Sequence, residues 1–175
     1  MELTKDLLDS AALVGDWVLD PARSTISLKN RSLGGLMPTS GVFRQVAGHG
    51  TITQAGEVSG ALTVAAASID TNIGRRDKHL RSADFLHVSK YPDIVFALTG
   101  AEPSGQGATV TGTLTVRDRT RPLTFEATSV VHEDDEVRLD AEVRINHAEF
   151  GLTWNFLGTV AAHDTLTVHA VFVRR

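Results

Sequence analysis

Seven histidines, His49, His79, His87, His132, His147, His163 and His169, are the side chains best suited to hold a metal or move a proton. A zinc-type site gathers its ligands to about 2.1 Å, and its sequence signature usually carries close pairs at i,i+2 or i,i+4. No such pair stands on one element here: His79 and His87 are separated by a helix end, and His147 and His169 could meet only across a sheet. No metal is expected. Nucleophile signatures are missing too, since there is no G-x-S-x-G, no S-x-x-K and no cysteine. Neither a P-loop nor a G-x-G-x-x-G opening a helix is present. Glu126 and Glu149 supply carboxylates, but nothing pairs them as a two-carboxylate hydrolase would need. No catalytic residue is therefore expected, and the protein reads as a non-enzyme.

Two basic clusters remain. Arg75, Arg76, Lys78 and Arg81 surround Asp77, while Arg117, Arg119 and Arg121 surround Asp118. Solvated charges are the plain reading. If the first segment folds over the sheet end where the second turns, Arg76, Arg81 and Arg117 form a rim able to hold a polar or anionic headgroup. The aromatics Phe43, Phe85, Phe96, Phe125, Phe150, Trp154 and Phe156 fall mostly on apolar phases. They make either an ordinary core or the lining of an apolar cavity.

The elements that must position these groups are strands. Valine (18) and threonine (19) supply about a fifth of the 175 residues, and both prefer extended backbone. Period-two alternation runs through 24–29, 61–67, 94–98, 110–116, 123–126, 137–145 and 166–172. Short turns such as Gln54-Ala55-Gly56-Glu57 and the acidic His132-Glu133-Asp134-Asp135-Glu136 separate them, which implies antiparallel meanders. About eight such strands must stack as two sheets or close on themselves. A closed barrel of about eight strands can just hold one small ligand. Small residues on inward phases, Ala66, Gly112, Ala127, Ala141 and Ala170, would leave room for one.

Two segments break the alternation. Residues 2–13 read as a short amphipathic helix with Leu3, Leu7 and Leu8 on one side, and Asn72–Phe85 as a loop with helical turns at about 77–84. The partition is a helical extension, 1–14, and one barrel domain, 15–175. Apolar residues make up 42 % and net charge is −4, so neither disorder nor a nucleic-acid surface is indicated. No eighteen-residue apolar run offers a membrane-spanning helix. The first residues carry Glu2, Lys5, Asp6 and Asp9, unlike a secretory signal, so a cytoplasmic protein is expected.

Several ordered blocks then resemble the YceI-like family. They are Trp17-Val18-Leu19-Asp20-Pro21 with Ser24, Gly41-Val42-Phe43, Ser68-Ile69-Asp70-Thr71, Arg76-Asp77 with Leu80-Arg81-Ser82-Ala83-Asp84-Phe85, and Tyr91-Pro92 with Ile94 and Phe96. Gly112-Thr113-Leu114-Thr115-Val116-Arg117 with Thr120-Arg121-Pro122, and Asn146 with Phe150-Gly151, complete the pattern. The resemblance spans about residues 15–172. It implies a lipocalin-like, antiparallel up-and-down barrel whose elongated apolar cavity holds a polyisoprenoid, such as an isoprenoid quinone or polyprenyl chain, or a fatty-acid-like lipid. It implies storage or transport and no assigned catalytic set. Strand phase then nominates Phe43, Leu62, Val64, Phe96, Leu114, Phe125, Phe150 and Trp154 as the cavity wall. The chain departs from the pattern at Asp118-Arg119, where the family usually has Gly-Val, and at His147, where an arginine is common. His147 joins Arg76, Arg81 and Arg117 as a headgroup candidate. The alternatives are an enzyme acting on an isoprenoid-like substrate, with His147, His169, Glu126 or Glu149 as candidates, and an interaction or stress-response protein whose N-terminal helix plugs the barrel or forms a homodimer.

Overall fold

The computed structural model describes residues 11–32, 37–133, 135–152 and 163–175. Most of the expected N-terminal helix, and Trp154 and Phe156, lie outside these residues. Ala11–Leu13 form one 3-10 turn, followed by β1 Gly15–Leu19, β2 Thr25–Ser32, β3 Met37–Phe43, β4 Val46–Ile52, β5 Val58–Ala65 and β6 Ile69–Asp70. After helix α1, Gly74–Arg81, come β7 Asp93–Ser104, β8 Gly107–Val116, β9 Arg119–Glu133, β10 Glu136–Asn146 and β11 His163–Arg174.

All pairings are antiparallel, and β1 pairs with β11 to close the sheet. The strands occupy eight positions around the barrel because three staves are bent. β1 and β2 together form the first, β3 and β4 the second, β5 and β6 the third. Closure of β1 on β11 covers most strand edges, leaving the short β6 paired on one side only, which largely answers the edge problem that alternating strands pose.

The bends explain several of the ordered blocks. Between β1 and β2, the Asp20 carboxylate accepts from the Ala22 N–H at 3.0 Å and from Arg23 Nε at 2.8 Å. Ser24 Oγ donates to the Asp20 carbonyl at 2.7 Å and accepts from the Val171 N–H at 3.0 Å. A hydroxyl thus replaces the ladder bond that the corner interrupts. Two β-bulges lie further round, at Thr99 in β7 and Thr128 in β9. Each bulged threonine donates its hydroxyl to a carbonyl of the adjoining strand, Thr111 or Asp140. Inward phase shifts there, from Leu98 to Ala101 and from Ala127 to Val130.

Helix α1 begins and ends about one turn earlier than expected. Its start is set by tertiary anchors rather than propensity: buried Asp77 accepts from the backbone N–H and hydroxyl of Thr71. Its end is set by Ser82, whose hydroxyl donates to the His79 carbonyl at 2.6 Å while its own carbonyl turns back to accept from Phe85 and His87. Among the described residues no helix is long and apolar enough to cross a membrane.

Candidate functional site: an apolar cavity with one polar corner

Inward-facing side chains of all the staves surround a cavity of about 300 Å³. That is the lower end of the range for small-molecule sites. Seven of the eight residues nominated by phase stand in its wall: Phe43, Leu62, Val64, Phe96, Leu114, Phe125 and Phe150. Both bulges lie beyond these positions on their strands, so the alternation that nominated them is unbroken there. Phe96 and Phe125 meet with ring centroids 5.5 Å apart. Trp17, Ile26, Leu28 and Val168 also line the wall.

The room does not come from all of the small residues expected to leave it. A Cβ on Gly112 would fall 2.6 Å from Phe96 Cζ and 2.2 Å from the Ala97 carbonyl oxygen, so a phenyl ring already covers that position. Ala127 and Ala141 face each other across β9 and β10 on the inward phase, buried among wall residues without lining the cavity themselves. Ala66 belongs to a buried turn between β5 and β6, outside the wall. Ala170 does line the cavity, with Gly50, Ala61, Ala101 and Ala108. At Gly50 an added Cβ would meet only the Ser59 carbonyl, at 3.6 Å.

The segment between β5 and β7 covers one end. Leu80, Phe85 and Leu86 reach the cavity from it. The block that carries most of the family resemblance fastens this cover. Arg76 Nε donates to Thr71 Oγ1 at 2.9 Å and its Nη2 to the Thr71 carbonyl at 3.0 Å. Arg81 donates to the carbonyls of Ala67 and Ile69, both at 2.8 Å. Arg117 holds a left-handed backbone (φ 56°) and donates to the Phe85 carbonyl at 3.3 Å, with its guanidinium 5.9 Å from the Tyr91 ring. None of these three arginines stands in the cavity wall. They act as clamps between loops and backbone carbonyls.

His147 differs from them. It lines the cavity, and its side chain is only 8 % exposed. Asn146 sets it there by accepting from the Ala148 N–H at 3.0 Å, which caps the short turn His147–Phe150. Gly151 ends the turn at φ 76°, where a side chain would be strained and would press on Arg119 at 3.3 Å. His147 Nδ1 lies 3.0 Å from Asp164 Oδ2, and Asn30 Nδ2 donates to the other carboxylate oxygen. The Phe85 ring centroid is 6.3 Å from that of His147. Asp164 was not among the sequence candidates. Its only signal is positional: it stands two residues before Leu166, on the phase that runs through Val168 and Ala170, and pairs with Ile145 in register.

The other titratable candidates sit outside the cavity. His169 faces Asp140 on the outer surface, so it does not meet His147. Glu126 accepts from Thr109 Oγ1 on the outer face, and Glu149 is exposed. Among the described residues no three metal-ligating side chains converge.

The YceI-like domain model matches residues 17–173. The chain belongs to the YceI-like family. Protein YceI of Escherichia coli O157:H7 is 38 % identical over 96 residues, covering 52 % of this chain and 50 % of that protein. Protein YceI of Salmonella arizonae is 38 % identical over 97 residues, 53 % of this chain and 51 % of its own length. The chain thus spans about half the length of the curated relatives it matches. BcnA of Burkholderia cenocepacia superposes with a TM-score of 0.79 at 21 % identity, covering 87 % of this chain and 98 % of that one. A polyisoprenoid-binding domain from Saccharophagus degradans, implicated in plant cell wall breakdown, gives a TM-score of 0.73 at 13 % identity, covering 91 % and 98 %. These likenesses establish the fold: a closed eight-stranded antiparallel barrel.

Proposed function

We propose that this protein stores or carries one long-chain apolar molecule, a polyisoprenoid or similar amphiphile, without transforming it. The observation that carries the reading is the cavity of about 300 Å³, walled almost wholly by aliphatic and phenyl side chains. Hydrophobic transfer suffices for affinity, since each methylene withdrawn from water is worth about 0.8 kcal/mol. The seven wall residues named above are the proposed ligand contacts. Of His147, His169, Glu126 and Glu149, only His147 reaches the cavity; His49 also lines it, and among the described residues no nucleophile joins these groups as a catalytic set needs.

Native mass spectrometry of protein purified without detergent tests this. The expected spectrum shows the chain plus a discrete added mass that organic solvent extracts and that analyses as a lipid. Protein that carries no extractable lipid, and that takes up no isoprenoid chain when offered one, would overturn the carrier reading. The same spectra report whether the barrel travels as one copy or two.

A further inference from the structure

Among the described residues, one pair of polar side chains, His147 and Asp164, lines the cavity's covered end. Their arrangement fixes more than a position. An ionised carboxylate only accepts hydrogen bonds, so the proton between Asp164 Oδ2 and His147 Nδ1 sits on the ring nitrogen. Asn30 donates to the second carboxylate oxygen, which holds the carboxylate plane and keeps both oxygens in acceptor roles. The neutral imidazole is therefore held as the tautomer with hydrogen on Nδ1 and a lone pair on Nε2. Among the described residues nothing donates to Nε2, although the side chain is more than nine-tenths buried. His147 lines the cavity and Nε2 is not sealed off from open space, so its lone pair is available to a guest that brings a donor.

Resting on the carrier reading, we infer that His147 Nε2 accepts a hydrogen bond from a ligand hydroxyl, so the barrel selects long-chain alcohols over hydrocarbons and aldehydes of the same chain. An aldehyde brings only acceptor lone pairs to a site that is already an acceptor. A hydrocarbon leaves Nε2 unpaired. The alcohol supplies the missing donor, and its chain lies along the apolar wall. Asp164 and Asn30 are positioning residues: they act on the ligand only through the tautomer of His147.

The experiment titrates the purified, delipidated full chain at mildly alkaline pH with farnesol, farnesal and farnesene, which share one skeleton. Farnesol should bind about tenfold more tightly than either of the others, the contrast expected for one satisfied buried hydrogen bond. The decisive variant is Asp164→Asn, which preserves size. Its amide oxygen can go on accepting from Asn30, and its NH₂ then donates to His147 Nδ1. The ring hydrogen moves to Nε2, which becomes a donor that an alcohol or an aldehyde oxygen can accept alike, so the preference of farnesol over farnesal should fall to near parity. His147→Leu should abolish the preference among the three ligands. Equal binding of the three ligands by the unaltered protein overturns the inference, as does an Asp164→Asn protein that still prefers farnesol by the same factor. In both cases the carrier reading survives, because farnesene still binds. Failure of all three ligands to bind overturns the carrier reading and the inference together.

Discussion

At one end of the barrel, where the hairpins β7–β8 and β9–β10 turn, the seal is made by groups on regular strands. Trp17 lies under the Arg174 guanidinium, 4.5 Å from the ring centroid, and donates its Nε1 hydrogen to the Leu13 carbonyl at 2.9 Å. Arg174 donates in turn to the carbonyls of Val14 and Ala12, and pairs with Asp135. At the other end, the segment 66–92 and the turn at His147–Phe150 lie across the opening. They are held by side chains bonded to carbonyls: Arg76 to Thr71, Arg81 to Ala67 and Ile69, Arg117 to Phe85, Arg121 to Glu149. The first end ties β1 and β11 to the turn that precedes β1. The second joins its charged hydrogen bonds to the packing of Leu80, Phe85 and Leu86 against the core. The polar pair stands at that second end.

The largest test attacks the strand-built end. Trp17→Ala removes a buried ring and the cation–π contact, and should cost about 3–5 kcal/mol in urea unfolding. A cost under about 1 kcal/mol would show that the ring does not seal this end. Next, Asp77→Ala leaves the Thr71 N–H and hydroxyl without their acceptor, a loss of about 1–3 kcal/mol. Hydrogen exchange should speed up within 66–92 and stay slow in β8–β11. Acceleration spread evenly over the barrel would erase the distinction between the ends. Smaller still is Gly50→Leu, placed opposite Trp17 in register where space is open. Stability should hardly change, but each methylene displaced from the cavity should weaken a long ligand by about 0.8 kcal/mol. Isothermal titration with chains of increasing length reads this directly, and an unchanged length limit would place the ligand tail elsewhere.

The smallest effect is a titration. The Asp70 carboxylate is held below the usual aspartate range, first by the Asn72 N–H and then by the Arg44 guanidinium. Its folded value is thus lower than its unfolded one. The stability it contributes is complete above the unfolded value and disappears as pH falls through the folded one. Arg44→Ala should raise the NMR midpoint of Asp70 only part of the way, because the Asn72 bond remains.

How far the sequence could be read follows from the range of the interactions. Alternation is local, so Phe43, Leu62 and Leu114 could be assigned to the inner face from neighbours two residues away. Local pattern also placed a helix in the right segment, but its start depends on Thr71 meeting Asp77, and neither residue signals that bond by propensity. Gly112 misleads as a sign of empty space because the ring that covers it comes from Phe96 on another strand. The His147–Asp164 pair joins residues on either side of a long connection, and only the β10–β11 register brings them together. The arginines of the two basic clusters looked like ligand groups because composition cannot show that a guanidinium points at a carbonyl.

One strand, β11, laces β1 and β2 alike. Arg174 reaches back to the carbonyl of Val14, 160 residues earlier. During synthesis the greasy inner wall therefore stays uncovered until the final strand leaves the ribosome, on the order of ten seconds after the first. Shelter of that wall is thus a late event in the life of the chain.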